Sequence, residues 1–224
     1  MNLSGIRVTT FMFLLMPLIF LIACTPSRLV KPLKKGEQTV SGSFGGQLIK
    51  FGGAVIPIPY TSLAYAKGLN DKASVFGGIH TTALLFANMQ IDAGICADVW
   101  KKDKFAFSLT PALQTAVSFK DYKSLRLWPS LDWNARYELP KGFVYAGMHN
   151  WFEFSKTRSF DSEQKKFILP GYHIGYTISK TKWQHQFEVK YLLPMTSVYP
   201  GVVDYIGLQN KGAFGIYYSL CRKF

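Results

Sequence analysis

From about residue 39 onward, large apolar side chains recur at every second position. In 105–119 the odd positions include Phe105, Phe107, Leu109, Leu113, Val117 and Phe119. The even positions are small and mostly polar, with Ser108, Thr110, Gln114 and Ser118. Segment 125–139 repeats this, with Leu125, Leu127, Leu131, Trp133 and Tyr137 against Arg126, Asp132, Asn134, Arg136 and Glu138. Segments 85–99, 168–178, 183–193 and 212–222 follow the same rule, and 39–50, 61–69 and 74–83 resemble them. A period of two is that of a β-strand with two unlike faces. The prediction is an all-β fold, an antiparallel up-and-down barrel of about ten strands within a range of eight to twelve.

Alternation leaves two architectures open. A soluble sandwich or lipocalin-like barrel puts the apolar face inside, whereas a transmembrane barrel turns it to lipid and lines its lumen with the polar face. Three features favour the second. The polar face is rich in Gly, Ser, Thr, Asn and Gln. Its charges are of both signs, a candidate lumen network of Asp92, Arg126, Asp132, Arg136, Glu138, Glu188 and Lys190. Buried charges need partners, so mixed signs suit a closed interior. Connections also alternate in length: 194–211 and 156–166 are long, 180–182 and 140–142 short. Such asymmetry belongs to barrels with short periplasmic turns and longer external loops. Aromatic residues Trp100, Phe105, Phe119, Tyr137, Phe143, Trp183 and Tyr191 suit interfacial girdles. Pro111 and Pro129 fall inside strands, where bulges are expected. Phe-Gly-Gly at 44, 51 and 76 marks bulges or close backbone approach.

The last strand ends in Tyr218, Leu220 and Phe224 on one parity, with Arg222 between the last two. This resembles the C-terminal-Phe signal of bacterial outer-membrane barrel proteins, which implies handling by barrel assembly machinery. At the other end, Arg7 precedes an apolar run, 11–22, interrupted by Pro17 and followed by Leu21-Ile22-Ala23-Cys24. A run this short reads as a secretory signal. Its end resembles the bacterial lipobox, which implies a signal peptide over 1–23, an acylated Cys24 and lipoprotein export. The expected organisation is then a lipidated N-terminus and basic tether over 24–38 and one barrel domain over 39–224. The resemblances imply a Gram-negative outer membrane, with the N-terminus anchored on the periplasmic side.

The 224 residues carry 26 Lys and Arg against 13 Asp and Glu, a formal charge of +13, with only 17% charged residues overall. Export makes nucleic acid an unsuitable partner. The charge instead sits in 25–38 and in strand connections, where membrane lipids and lipopolysaccharide phosphates can meet it. Segment 25–38, with Pro26, Arg28, Lys31, Pro32, Lys34, Lys35 and Gly36, reads as a flexible tether on anionic headgroups or a solvated linker.

The sequence shows no motif for a metal or cofactor and no catalytic signature. His80, His149, His173 and His185 are scattered. His173 falls on the lumen parity and His185 on the apolar one, while His149 reads as a strand-end residue. No Ser–His or Asp–His constellation is evident. Cys96 and Cys221 read as two free buried thiols. The function expected is structural, envelope-associated or narrow-channel, and non-enzymatic. The alternatives are a lipid-anchored periplasmic barrel binding an apolar ligand, and a lipid-modifying hydrolase.

Overall fold

The structure is a computed structural model that describes residues 25–155, 163–197 and 203–224. The signal segment and Cys24 lie outside the described residues. Eleven strands form in chain order: β1 (Gln38–Phe51), β2 (Ala54–Pro57), β3 (Tyr60–Asn70), β4 (Ala73–Ile79), β5 (Asn88–Lys102), β6 (Phe105–Ser118), β7 (Asp121–Leu139), β8 (Gly142–Phe152), β9 (Ile168–Ser179), β10 (Trp183–Ser197) and β11 (Lys211–Lys223). One short helix, α1 (Thr81–Leu85), joins β4 to β5. Among the described residues no helix is long and apolar enough to cross a membrane.

Each strand pairs antiparallel with its neighbour, and β1 pairs with β11 from Thr39↔Lys223 to Gln47↔Gly215. The result is a closed barrel of ten strands plus β2, which forms a hairpin on the far half of β1. Closure satisfies the backbone groups that an open sheet would leave at its edges. The alternating segments all become strands, with one adjustment. Segments 74–83 and 85–99 shift, because β4 stops at Ile79 and β5 starts at Asn88, with α1 between. In the gap, His80 begins α1 and Leu85 is exposed on it.

The pleat decides which face looks out. Phe107 is 49% exposed and Ser108 1%; Leu113 is 48% exposed and Gln114 8%. The same holds for Leu125, Leu127 and Trp133 against Asp132, Asn134 and Arg136. The apolar face is the outer surface, and the polar face lines the lumen. The soluble alternative, with an apolar interior, has the opposite sense. Among the described residues six aromatic rings break the rule of a small-residue lumen: Phe76, Trp128, Phe143, Tyr145, Trp151 and Tyr217 are buried inside. Phe143 is thereby corrected from the girdle to the lumen.

The bulges expected at Pro111 and Pro129 are absent. Both pair in register across β6 and β7, Pro111 with Leu131 and Leu113 with Pro129. Their other sides are relieved differently. The β5–β6 ladder pairs Gly94 with Ala112 and next Ala97 with Leu109, leaving Pro111 opposite a gap. Pro129 lies one residue beyond Ser130↔Trp151, where β7–β8 pairing stops. Each proline sits where no ladder hydrogen bond is asked of its nitrogen.

The turns at residues 71–72, 103–104, 140–141 and 180–182 share one end of the barrel, with the start of β1 and the end of β11. The ends of β4, β8 and β10, which lead into the longer connections, lie at the other, together with the short turn 119–120. This gives a short-turn end and a long-connection end.

Ala135 pairs on both sides, with Phe107 and with Ala146. Ala135→Pro removes an N–H that a ladder position needs, so it should destabilise the barrel by about 1–3 kcal/mol. Pro129→Ala should leave stability nearly unchanged. Urea unfolding of both variants checks the pair.

Candidate functional site

The lumen is filled by the chain's own N-terminal segment. Residues 25–37 run inside the barrel from Thr25 to Glu37, which lies at the short-turn end. There Glu37 meets Lys223 at 3.3 Å, and the Gly36 N–H donates to the Gly68 carbonyl at 3.0 Å. The flexible tether expected over 25–38 is corrected: this stretch is an internal plug.

A peptide inside a closed barrel must have its polar backbone groups satisfied. Lumen side chains supply the partners. The Ser27 N–H donates to Glu188 Oε1 at 3.0 Å, and Gln186 Nε2 donates to the Ser27 carbonyl at 3.1 Å. Thr110 Oγ1 donates to the Leu29 carbonyl at 3.2 Å and Ser108 Oγ to the Val30 carbonyl at 2.7 Å. The Leu33 N–H donates to Ser74 Oγ at 2.7 Å. Val30 packs on Phe143 and Tyr145, and Leu33 packs with Ala66 and Phe76. Phe143, Tyr145 and Phe76 thus give the plug its aromatic contacts.

Charge fixes it further. The Arg28 guanidinium clasps Asp92, with Nε 3.1 Å from each carboxylate oxygen and Nη2 2.5 Å from Oδ2. Its Nη1 donates to Ser62 Oγ at 2.7 Å, and His80 Nε2 lies 2.8 Å from Asp92 Oδ2. The Arg28 and Asp92 side chains are only 9% and 5% exposed. Nearer the short-turn end, Lys31 Nζ donates to Glu138 Oε2 at 2.8 Å. Arg136 holds Asp98 in a bidentate pair, both N···O distances 2.5 Å, and Glu138 at 3.0 Å. Glu188 is 3.4 Å from Lys190 and accepts from the Tyr145 hydroxyl at 2.8 Å. Asp132 pairs with His149 Nδ1 across β7 and β8.

Six of the seven predicted network residues therefore meet partners, in several clusters joined by the plug. Arg126 does not: it is half-buried on β7 and forms no ion pair among the described residues. Sequence reasoning missed Arg28, Lys31, His80 and His149. One signal for the first two was present. Among lumen-parity residues, Asp92, Asp98, Asp132, Glu138 and Glu188 outnumber Arg126, Arg136 and Lys190, and buried acids require cations. The two Asp–His pairs, His80 with Asp92 and His149 with Asp132, correct the reading that no such constellation exists. His149 is a lumen residue within β8, not a strand end. Among the described residues these imidazoles hydrogen-bond to aspartate or Arg28, and no serine hydroxyl is bonded to either. His173 lies in the lumen with Nε2 2.7 Å from Asn134 Oδ1, and His185 contacts the Tyr218 hydroxyl at 2.8 Å.

Gly78 explains the third Phe-Gly-Gly. A Cβ there would sit 2.8 Å from Arg28 Nη2 and 3.0 Å from Asp92 Oδ1. The guanidinium lies against bare backbone. At Gly68 a Cβ would strike the Lys34 carbonyl. Beside Thr25 a cavity of about 30 Å³ remains, bounded by Gln114, Ser130, Asp132, His149 and Lys190. That is room for water rather than for a solute. At the long-connection end Ile49, which faces inward, is covered by Ile58 and Val203. Cys96 is free and buried, and Cys221 is free and half-buried. Among the described residues no group of three His, Cys, Asp or Glu is placed to hold a metal.

Tyr218 and Leu220 lie in β11, paired with Phe44 and Gly42 of β1. Phe224 follows the strand, its N–H donating to the Gln38 carbonyl at 2.9 Å.

Arg28→Ala strands the Asp92 carboxylate in the lumen and should cost about 3–5 kcal/mol. Adding Asp92→Asn to that variant should restore part of the loss. Gly78→Ala should weaken the same contact by displacing the guanidinium. Urea unfolding of the single and double variants, taken as a double-mutant cycle, measures the coupling.

No protein-family model matches the chain, and no curated protein does. Among solved structures it resembles an outer membrane channel from Pseudomonas putida F1, at 10% identity and TM-score 0.52, over 89% of this chain and 100% of that one. A NanC porin aligns at 12% identity and TM-score 0.45, over 84% and 100%. The translocator domain of the autotransporter NalP from Neisseria meningitidis aligns at 8% and 0.42, over 86% and 90%. At such identities the likeness to the Pseudomonas channel bears on the fold alone.

Proposed function

We propose that the chain is an outer-membrane β-barrel with a non-enzymatic, envelope-structural role, its lumen closed at rest by residues 25–37. The observation that carries this reading is the sense of the pleat: the outer wall of a closed barrel is apolar and its interior polar and ionic. Such a wall is stable against hydrocarbon, where every backbone polar group must be satisfied internally. It would be a liability in water, where contiguous apolar patches of this extent drive association. The interior does not suit an apolar ligand, because Asp, Glu, Arg, Lys and His line it and the plug occupies it. A narrow channel follows only if the plug leaves. Unequal turn lengths support an orientation with the short-turn end toward the periplasm.

The test is reconstitution of the full chain. Heated and unheated samples should migrate differently on a gel. A lipid-soluble maleimide should label Phe107→Cys and leave Ser108→Cys unlabelled. The wild-type barrel should show almost no conductance in a planar bilayer, and deletion of 25–37 should open it. Labelling at 108 and not at 107 would return the soluble barrel.

The lipobox reading of Cys24 is a second proposal. Thr25, its neighbour, lines the same small lumen cavity as Asp92, Asp132 and Lys190. These are seven to ten residues along their strands from the short-turn end, roughly 23–33 Å of strand. An anchor in the periplasmic leaflet and a seated plug therefore exclude one another in the same molecule at the same moment. Labelled palmitate should enter the wild type and not Cys24→Ala. If it does, acylation should raise the conductance relative to Cys24→Ala by holding the plug out.

A further inference from the structure

The two ends of the barrel differ in charge. At the short-turn end every turn carries exposed lysine: Lys72 in the first, Lys104 in the second beside Lys102, Lys141 in the third, Lys180 and Lys182 in the fourth. Three acids stand outside the lumen there. Glu37 is taken by Lys223 at 3.3 Å, Asp71 by the Lys35 N–H at 3.1 Å, and Asp103 lies between lysines. The turn lysines make no side-chain ion pair among the described residues. At the long-connection end two basic residues meet acids, Lys50 with Asp204 at 3.5 Å and Lys165 with Glu163 at 3.4 Å, while Lys120, Lys123, Lys166 and Lys211 make no ion pair among the described residues. Asp121, Glu153, Glu163 and Asp204 are interspersed with these lysines.

A second feature shares the basic end. Exposed aromatic rings stand on the adjoining part of the outer wall: Trp100, Phe105 and Trp183, with Phe224. Phe105 packs on Tyr137 with centroids 4.7 Å apart. The Arg222 guanidinium lies over Trp183 at 5.7 Å and over Phe224 at 5.1 Å. Rings of this kind settle at the level of lipid headgroups. The turn lysines follow these positions along the chain, at and beyond the strand ends.

We propose that the short-turn end is a docking collar for anionic phospholipid headgroups of the facing leaflet. Charge complementarity names the occupant: a ring of unpaired ammonium groups, set beyond an aromatic girdle, fits lipid phosphate with net negative charge over zwitterionic lipid. Spread over four turns, the lysines bind no single headgroup. They hold an annulus enriched in acidic lipid. This inference rests on the membrane-barrel reading and adds lipid selectivity to it.

The experiment uses the full chain inserted in vesicles of phosphatidylcholine containing phosphatidylglycerol. Lipid retained on the extracted barrel is measured by native mass spectrometry. Phosphatidylglycerol should be enriched about two- to fivefold over its bulk share, as expected for several basic residues near a surface. The enrichment should fall away at 1 M salt, where the Debye length is about 3 Å. Changing Lys104, Lys141, Lys180 and Lys182 together to Gln should abolish it. The matched set Lys120, Lys123, Lys165 and Lys211 to Gln, at the other end, should retain it. Equal retention of both lipids by the wild type, or loss in the second set alone, overturns the collar. So does binding to isolated cell-wall sacculi that is lost in the first set without any lipid preference. Failure of the chain to insert at all, with normal folding in buffer, overturns the membrane reading and the collar with it.

Discussion

Backbone pairing of β1 with β11 is the constraint from which the rest follows. It turns a ten-strand sheet into a wall with no edge, so every strand hydrogen-bonds on both sides over most of its length. Once closed, the pleat leaves no choice: successive side chains go out, in, out, in. The large apolar residues take the outer wall because its convex surface has room for them. The polar residues are driven into a narrow interior with little water. Charges placed there need counter-charges within the protein, because an unpaired buried ion is destabilising by several kcal/mol.

The plug answers that need. Arg28 meets Asp92, Lys31 meets Glu138, and the Ser27 peptide group spans Gln186 and Glu188. These contacts are mutual. Without residues 25–37 the barrel would hold unneutralised carboxylates; without the barrel, the segment is a short basic peptide rich in proline. Glycines make the fit close. Gly78 gives Arg28 a flat bed, and Gly68 admits the Lys34 carbonyl. The remaining Phe-Gly-Gly repeats serve other ends. Gly52 and Gly53, both with positive φ, turn the β1–β2 hairpin, as residues of a two-residue turn must. At Gly46 a Cβ would collide with the Ile58 carbonyl, where the chain after β2 crosses β1. Three identical tripeptides thus have three physical reasons.

A filled interior also bears on how such a barrel would work in an envelope. Its wall is a closed barrel with a basic, aromatic-backed end and a mixed-charge end, and residues 25–37 fill its lumen. The plug is held by several ion pairs, each of which breaks only by exposing a charge to a poorly hydrated lumen.

Much of this was legible in the residues. A period of two sustained over nearly the whole chain determined strands, their approximate number and the two faces, because side chains in a strand cannot do otherwise than alternate. Six of the expected lumen acids and bases have ionic or hydrogen-bonded partners, whereas Arg126, near the long-connection end of β7, forms no ion pair among the described residues. Alternation carries no sign, however: Phe107 and Ser108 read the same whether the barrel is wet outside or inside. Only the closed wall, with Phe107 outward, decided it. The same limit applies to residues 25–37. Their prolines and lysines have no period, so local pattern describes a linker. That Arg28 finds Asp92 sixty-four residues away, and that Phe143 turns in to meet Val30 rather than out to a girdle, are long-range facts. They exist only once the barrel has closed and its interior charge demands an occupant.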